Sequence, residues 1–154
     1  MNILVVYFSA TGRTKKVAFC LAKDLDASLY EIKPKAPYSS EDLNWMNKSS
    51  RSSLEMKDKT SRPEIIKDDI DITKYDKILI GYPVWWYTAP TIINSFLETY
   101  DFSNKEIILW ATSGGSGFGS AINDLSKSTN ANIKEGMILN NNNAINEFIK
   151  KIRG

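Results

Sequence analysis

Ile3-Leu4-Val5-Val6-Tyr7-Phe8 is apolar without a break, and the next six residues, Ser9-Ala10-Thr11-Gly12-Arg13-Thr14, are mostly small or hydroxylated. A continuous apolar run of this length suits a central strand of a parallel sheet, buried on both faces. From Arg13 the period becomes helical, with Val17, Ala18, Leu21, Ala22 and Leu25 on one stripe. The turn between strand and helix carries chemistry of its own. Backbone N–H groups at a helix start lack intrahelical acceptors, and the helix dipole there favours an anion. Ser9, Thr11 and Thr14 add hydroxyl donors, and Gly12 allows close approach or a positive φ. These residues together read as a phosphate cradle. The competing reading is that Ser9 or Thr11 merely caps the helix.

Two nucleotide signatures are excluded. The P-loop pattern needs a second glycine followed by Lys and Ser/Thr, whereas Gly12 stands alone. The dinucleotide fingerprint fails at the same turn. Gly114-Gly115-Ser116-Gly117-Phe118-Gly119 imitates it later in the chain, but its last glycine comes one position too early.

The 154 residues, 42% of them hydrophobic, fit one domain spanning 1–154 with a real core. The first strand begins within two residues of the N-terminus, and no apolar stretch approaches the roughly 18 residues of a membrane span. A cytoplasmic protein is therefore expected. The single cysteine, Cys20, allows no internal disulfide or C-x-x-C pair, and its place in the first helix suggests packing. Histidine is absent, which removes the commonest general base and the usual ligands of catalytic zinc. Redox work by such a chain would fall to an organic cofactor. A net charge of +2, with both signs interspersed, gives no basic stripe for nucleic acid.

Strand and helix patterns alternate, which points to an α/β fold with helices on both faces of a parallel sheet. After the first strand and helix, Ser28 to Lys33 reads as a polar edge strand. Lys77 to Tyr82 is the third strand, followed by a helix presenting Ile92, Ile93, Phe96, Leu97 and Tyr100, with Pro90 at its first turn. Ile107 to Thr112 and Ile133 to Leu139 are the fourth and fifth, Gly136 marking a bulge. A closing helix buries Ala144, Ile145, Phe148, Ile149 and Ile152. An insertion at about 34–73 separates the second and third strands. Leu43, Trp45, Met46, Leu54 and Met56 suggest one or two short helices there, laid against the sheet. Trp45 has two readings, a cover over a ligand or an anchor to the core, and the usual burial of tryptophan favours the anchor.

Ligands of open α/β sheets bind beyond the carboxyl ends of the strands, where strand order reverses. Three loops meet there: residues 9–14, the aromatic stretch Pro83-Val84-Trp85-Trp86-Tyr87-Thr88, and Ser113 to Gly119. The first binds an anion, the second offers three adjacent aromatics, and the third offers amides from a glycine run. They describe a flat heterocycle joined to a phosphate. Two adjacent indoles after a strand do not both enter a core easily, so at least one of Trp85 and Trp86 is expected to be exposed and able to stack on a ring.

With these residues in view, Ser9 to Thr14 after a first strand resembles the phosphate loop of flavodoxins, and the order of elements agrees over essentially the whole chain. Gly81-Tyr82-Pro83-Val84-Trp85-Trp86 and Thr112 to Gly119 further resemble a flavodoxin-like subgroup common in bacteria. The resemblance implies a flavodoxin-like three-layer sandwich, a five-stranded parallel sheet in order 2-1-3-4-5 and one non-covalent FMN. It assigns the turn Ser9, Ala10, Thr11, Gly12, Arg13 and Thr14 to the phosphate. It assigns Pro83, Val84, Trp85, Trp86 and Tyr87, with Ser113, Gly114, Gly115, Gly117 and Phe118, to the flavin ring. The chain departs from the family pattern in three ways. It is slightly basic rather than strongly acidic, it has no glycine within 83–88, and it lacks the tyrosine usually stacked on the flavin from the third loop. Phe118 is the nearest aromatic there, leaving Trp85 or Trp86 to compensate.

The leading expectation is an electron carrier that exchanges electrons with a redox partner protein through its flavin. The alternative is an NAD(P)H-dependent quinone or flavin reductase of the same fold, which a deep aromatic pocket under a lid from the 34–73 insertion would favour. A phosphoryl-accepting receiver domain shares the fold but needs an aspartate pair for Mg²⁺ where this first strand ends in Phe8-Ser9.

Overall fold

A computed structural model describes residues 1–154. Five strands, β1 (Ile3–Tyr7), β2 (Ser28–Glu31), β3 (Lys77–Pro83), β4 (Glu106–Thr112) and β5 (Asn132–Ile138), form one parallel sheet in the order β2-β1-β3-β4-β5. The order reverses between β1 and β3, which opens a crevice at their carboxyl ends. Five helices connect and flank the strands: α1 (Arg13–Leu25), α2 (Arg51–Lys57), α3 (Thr91–Thr99), α4 (Ala121–Leu125) and α5 (Asn142–Arg153).

The apolar run of β1 serves both faces of the sheet by alternation. Ile3, Val5 and Tyr7 join Leu79 and Trp110 under α1 and α5, whose stripes contribute Val17, Ala18, Leu21, Phe148 and Ile152. Leu4, Val6 and Phe8 join Ile78, Ile80 and Tyr82 on the other face, covered by Ile92, Ile93, Phe96 and Leu97 of α3 and Leu125 of α4. Each such side chain contributes roughly 1.5–3 kcal/mol of burial. Trp110 is fully buried and satisfies its indole N–H on the Leu79 carbonyl at 3.2 Å. The register of β4 and β5 slips between Leu109 and Trp110, which face Glu135 and Met137, so Gly136 is the extra residue of a bulge.

Three details differ from the sequence expectation. β2 ends at Glu31, although Ile32 N–H still donates to the Tyr7 carbonyl at 2.8 Å. Cys20 is exposed, because the buried stripe of α1 runs through Thr14, Val17, Ala18 and Leu21 and turns residues 19 and 20 outward. Of the apolar residues read as short helices against the sheet, Met56 is buried in α2, whereas Trp45, Met46 and Leu54 are exposed.

Candidate functional site

The turn after β1 is held open by its own serine. Ser9 Oγ accepts from the amides of Gly12 (3.0 Å) and Lys15 (3.2 Å), leaving those of Thr11, Arg13 and Thr14 without an intrahelical acceptor. Gly12 makes the bend at φ 96°, a conformation that costs a residue with a Cβ atom. Gly12 occupies the N-cap position without a side-chain cap, and Ser9 takes up only the Lys15 amide of the first turn, which leaves a cluster of free donors at the helix's positive end. Thr11 is exposed beside them. Thr14 is buried, its hydroxyl sharing a hydrogen bond with that of Thr112 at 2.9 Å.

Arg13 points away from the turn toward the third loop. Its guanidinium donates to the Ser113 carbonyl (3.3 Å) and to Asn140 Oδ1 (2.8 Å). Asn140 also grips Ser113 through the Ser113 amide (2.9 Å) and carbonyl (2.9 Å). Ser113 Oγ in turn accepts from the amides of Gly115 (3.1 Å) and Ser116 (2.8 Å), which curls the glycine run back on itself.

The aromatic loop is a two-residue reversal. Trp85 N–H donates to the Thr88 carbonyl (3.0 Å), Thr88 N–H returns to the Trp85 carbonyl (3.1 Å), and Trp86 and Tyr87 between them are left-handed, at φ 47° and 60°. This backbone parts the two indoles. Trp85 turns inward against Phe8 (5.7 Å between centroids, 89°) and Tyr38 (5.5 Å, 76°), both edge to face. Trp86 remains 44% exposed and Tyr87 72%.

Tyr38 belongs to the 34–73 insertion and is fixed there by charge. Its hydroxyl donates to Glu55 Oε1 at 2.6 Å, and Arg51, paired with Glu55 at 3.0 Å, lies 3.8 Å over its ring. Burial, and then the Glu55 carboxylate, push the phenol well above its ordinary range.

Between the second and third loops lies a cavity of about 600 Å³, lined by Val84, Trp85, Trp86, Tyr87, Gly114, Gly115, Ser116 and Trp45. No charged residue lines it. Six of the residues expected at a ring site are thus brought together. Pro83 ends β3, Ser113 is buried in its hydrogen bonds, and Gly117 is exposed outside the lining. Phe118 also lies outside the lining: only 5% exposed, it packs into the core beneath α3 and α4, because the chain turns inward there to start α4. The anchor reading of Trp45 is corrected. It is 71% exposed at the cavity rather than anchored in the core. The phosphate turn does not line the cavity but is joined to it by Phe8 against Trp85 and by Arg13 against Ser113. Asn140, Tyr38 and Asp124, which organise these loops, lie outside every motif legible in the sequence.

A doubly wound sheet with a turn of free amides after its first strand and an aromatic cavity at its switch point has the architecture of a flavodoxin-like protein. The chain belongs to the flavodoxin family: the family's model matches residues 2–152. A protein from Bacteroides eggerthii provisionally described as a flavoprotein is 44% identical over 99% of this chain and 98% of its own, with a TM-score of 0.89. Its counterpart from Bacteroides uniformis is 41% identical over 97% of each chain, at 0.88. A Lactobacillus acidophilus flavoprotein solved in complex with FMN is 24% identical over 96% of this chain and 97% of its own, at 0.73, a likeness of fold. No curated protein matches the chain.

FMN is the cofactor the family implies, and the residues present fit it. Free amides gather at the turn where a phosphate would sit. A Cβ atom placed on Gly12, Gly114, Gly115 or Gly117 would meet nothing within 4 Å, so the loops face open space. The cavity has the size and the apolar lining of a small-molecule site.

Proposed function

We propose that the protein holds one FMN non-covalently and carries electrons on it between redox partners. The observation that carries this reading is the pairing of an anion-binding turn with an uncharged aromatic cavity across the sheet's switch point. Thr11, Gly12 and the amides of residues 11, 13 and 14 would receive the phosphate, and Val84 to Tyr87 with Gly114 to Ser116 would hold the ring. The bound flavin supplies the redox chemistry, which a chain without histidine and with one exposed cysteine does not offer from its own side chains. The protein's part is to bind and orient the ring and to shield its inner face, a task that falls to Trp85, clamped between Phe8 and Tyr38.

One observation favours a second reading, an NAD(P)H-dependent quinone or flavin reductase. Trp45 brings the 34–73 insertion to the cavity's edge, as a cover over a second substrate would. Its 71% exposure leaves the cavity open, which supports the carrier. Anaerobic mixing of the FMN-loaded protein with NADH or NADPH decides between them. Slow reduction supports the carrier. Rapid stoichiometric reduction, followed by many turnovers with a quinone, assigns the reductase. No helix is long and apolar enough to cross a membrane.

A further inference from the structure

The backbone at Trp86 and Tyr87 is costly. Left-handed backbone crowds the Cβ atom of an L-residue, and two such residues in succession are normally given to Asn-Gly pairs. A turn built from a tryptophan and a tyrosine persists only where its surroundings over-determine it. The contacts that do so converge on one carboxylate outside the cavity. Thr88 Oγ1, at the foot of the turn, donates to Asp124 Oδ2 at 2.7 Å, and Ser120 Oγ donates to the same oxygen at 2.8 Å. Ser120 N–H donates to the Tyr87 carbonyl at 3.1 Å. Lys59 Nζ, from the 34–73 insertion, pairs with Asp124 Oδ1 at 3.2 Å. Gly119, at φ 55°, lies so close to the Tyr87 carbonyl that a Cβ atom there would collide with it.

We infer that Asp124 is a positioning residue for the ring site: by binding Thr88, Ser120 and Lys59 together it holds Trp86 and Tyr87 in their left-handed turn and so sets the cavity's aromatic wall. The inference rests on the reading of that cavity as a flavin site. The Asp124 side chain is 11% exposed, and burial, which by itself would push its carboxyl up, is outweighed by hydrogen bonds from Thr88, Ser120 and Lys59 that hold it below the ordinary carboxylate range. It is therefore charged across the physiological range. Asp124 touches neither the cavity nor the phosphate turn, so its effect on a ligand has to pass through the turn it clamps.

The test compares Asp124→Ala, Thr88→Val and Asp124→Asn with wild type, using FMN and lumiflavin, a flavin ring without the ribityl phosphate, as probes. Asp124→Ala and Thr88→Val are expected to weaken both probes by the same factor, tenfold or more, and to change the near-UV circular dichroism of the apo protein. Asp124→Asn, whose amide oxygen can still accept from both hydroxyls, is expected to stay within a few-fold of wild type. Wild-type titration tests the cofactor reading separately. If wild type binds neither probe, that reading fails, and the near-UV spectra of the apo variants alone decide whether Asp124 holds the turn. Wild-type affinities in Asp124→Ala and Thr88→Val, a loss confined to FMN, or lower melting temperatures with unchanged near-UV spectra would overturn the inference. Should Asp124→Ala fail to fold, Thr88→Val, which is nearly isosteric, carries the same readouts.

Discussion

Arg13, at the start of α1, and Asn140, 127 residues later, meet at 2.8 Å, and between them they fix the Ser113 carbonyl and amide. A cation at a phosphate turn invites the reading that it binds the phosphate. Its geometry ties it to the loop beside the ring instead. Arg13→Ala is accordingly expected to weaken FMN and riboflavin by a similar factor, through the slackened third loop, and quenching titrations with both flavins check it. A loss confined to FMN would return Arg13 to the phosphate.

Thr11 and Gly12 alter the turn by different routes. Thr11→Ala removes one donor to a charged group, a loss of about 1.5–3 kcal/mol, or roughly 10- to 150-fold in FMN affinity. Gly12→Val puts a β-branched residue at φ 96°, where nothing blocks its side chain but the backbone disfavours it. Nearly complete loss of FMN binding is expected, with the apo far-UV spectrum unchanged. Retention of FMN by Gly12→Val would show that the turn is not the cradle.

Trp86 faces the cavity half-exposed, in an environment without a lining charge. Removing an electron-rich ring from beside a flavin admits water and eases the accumulation of negative charge on it. Trp86→Ala should weaken FMN by about 0.5–1.5 kcal/mol beyond the area lost and raise the midpoint potential for uptake of the second electron. Spectroelectrochemistry reads the potential directly, and an unchanged or lowered value would remove Trp86 from the ring site.

Tyr30 and Tyr38 both carry phenols pushed far above the ordinary value of 10.0, first by burial and then by hydrogen bonding, in which Tyr30 donates to Asp68 and lies beside Tyr100 while Tyr38 donates to Glu55. The folded chain keeps them protonated at pH values where an unfolded chain ionises them. Their contribution is therefore fully present below about pH 10 and is lost as pH rises beyond it. Denaturation midpoints between about pH 8 and about pH 11 should fall, and fall less steeply in Tyr38→Phe, which starts from a lower stability at neutral pH. A Tyr38→Phe slope equal to that of wild type would contradict the assignment.

What was legible in the chain followed from local pattern. The uninterrupted run of β1, the helical stripes and the single glycine of the turn each state their environment within a few residues, and alternation of strands and helices gives a parallel sheet. Loops at the carboxyl ends of β1, β3 and β4 then have to meet. The exposure of Trp45 and the burial of Phe118 were illegible for a shared reason. An aromatic outside a periodic element carries no signal of which way it faces. Trp45 follows the path of the insertion, pinned by Arg51, Tyr38 and Glu55, and Phe118 follows the inward turn that starts α4. Asn140 and Asp124 were invisible because a polar residue's role as a clamp depends on partners up to 127 and 65 positions away, and no spacing rule encodes such a meeting.

The central claim is that a phosphate turn and an aromatic cavity act as one FMN site. Parallel titration of the apo protein with FMN and riboflavin, followed by flavin fluorescence quenching, tests it most directly. The turn's free amides should make FMN the tighter ligand by at least tenfold, and Thr11→Ala should narrow that gap. Equal affinity for the two flavins would contradict the account.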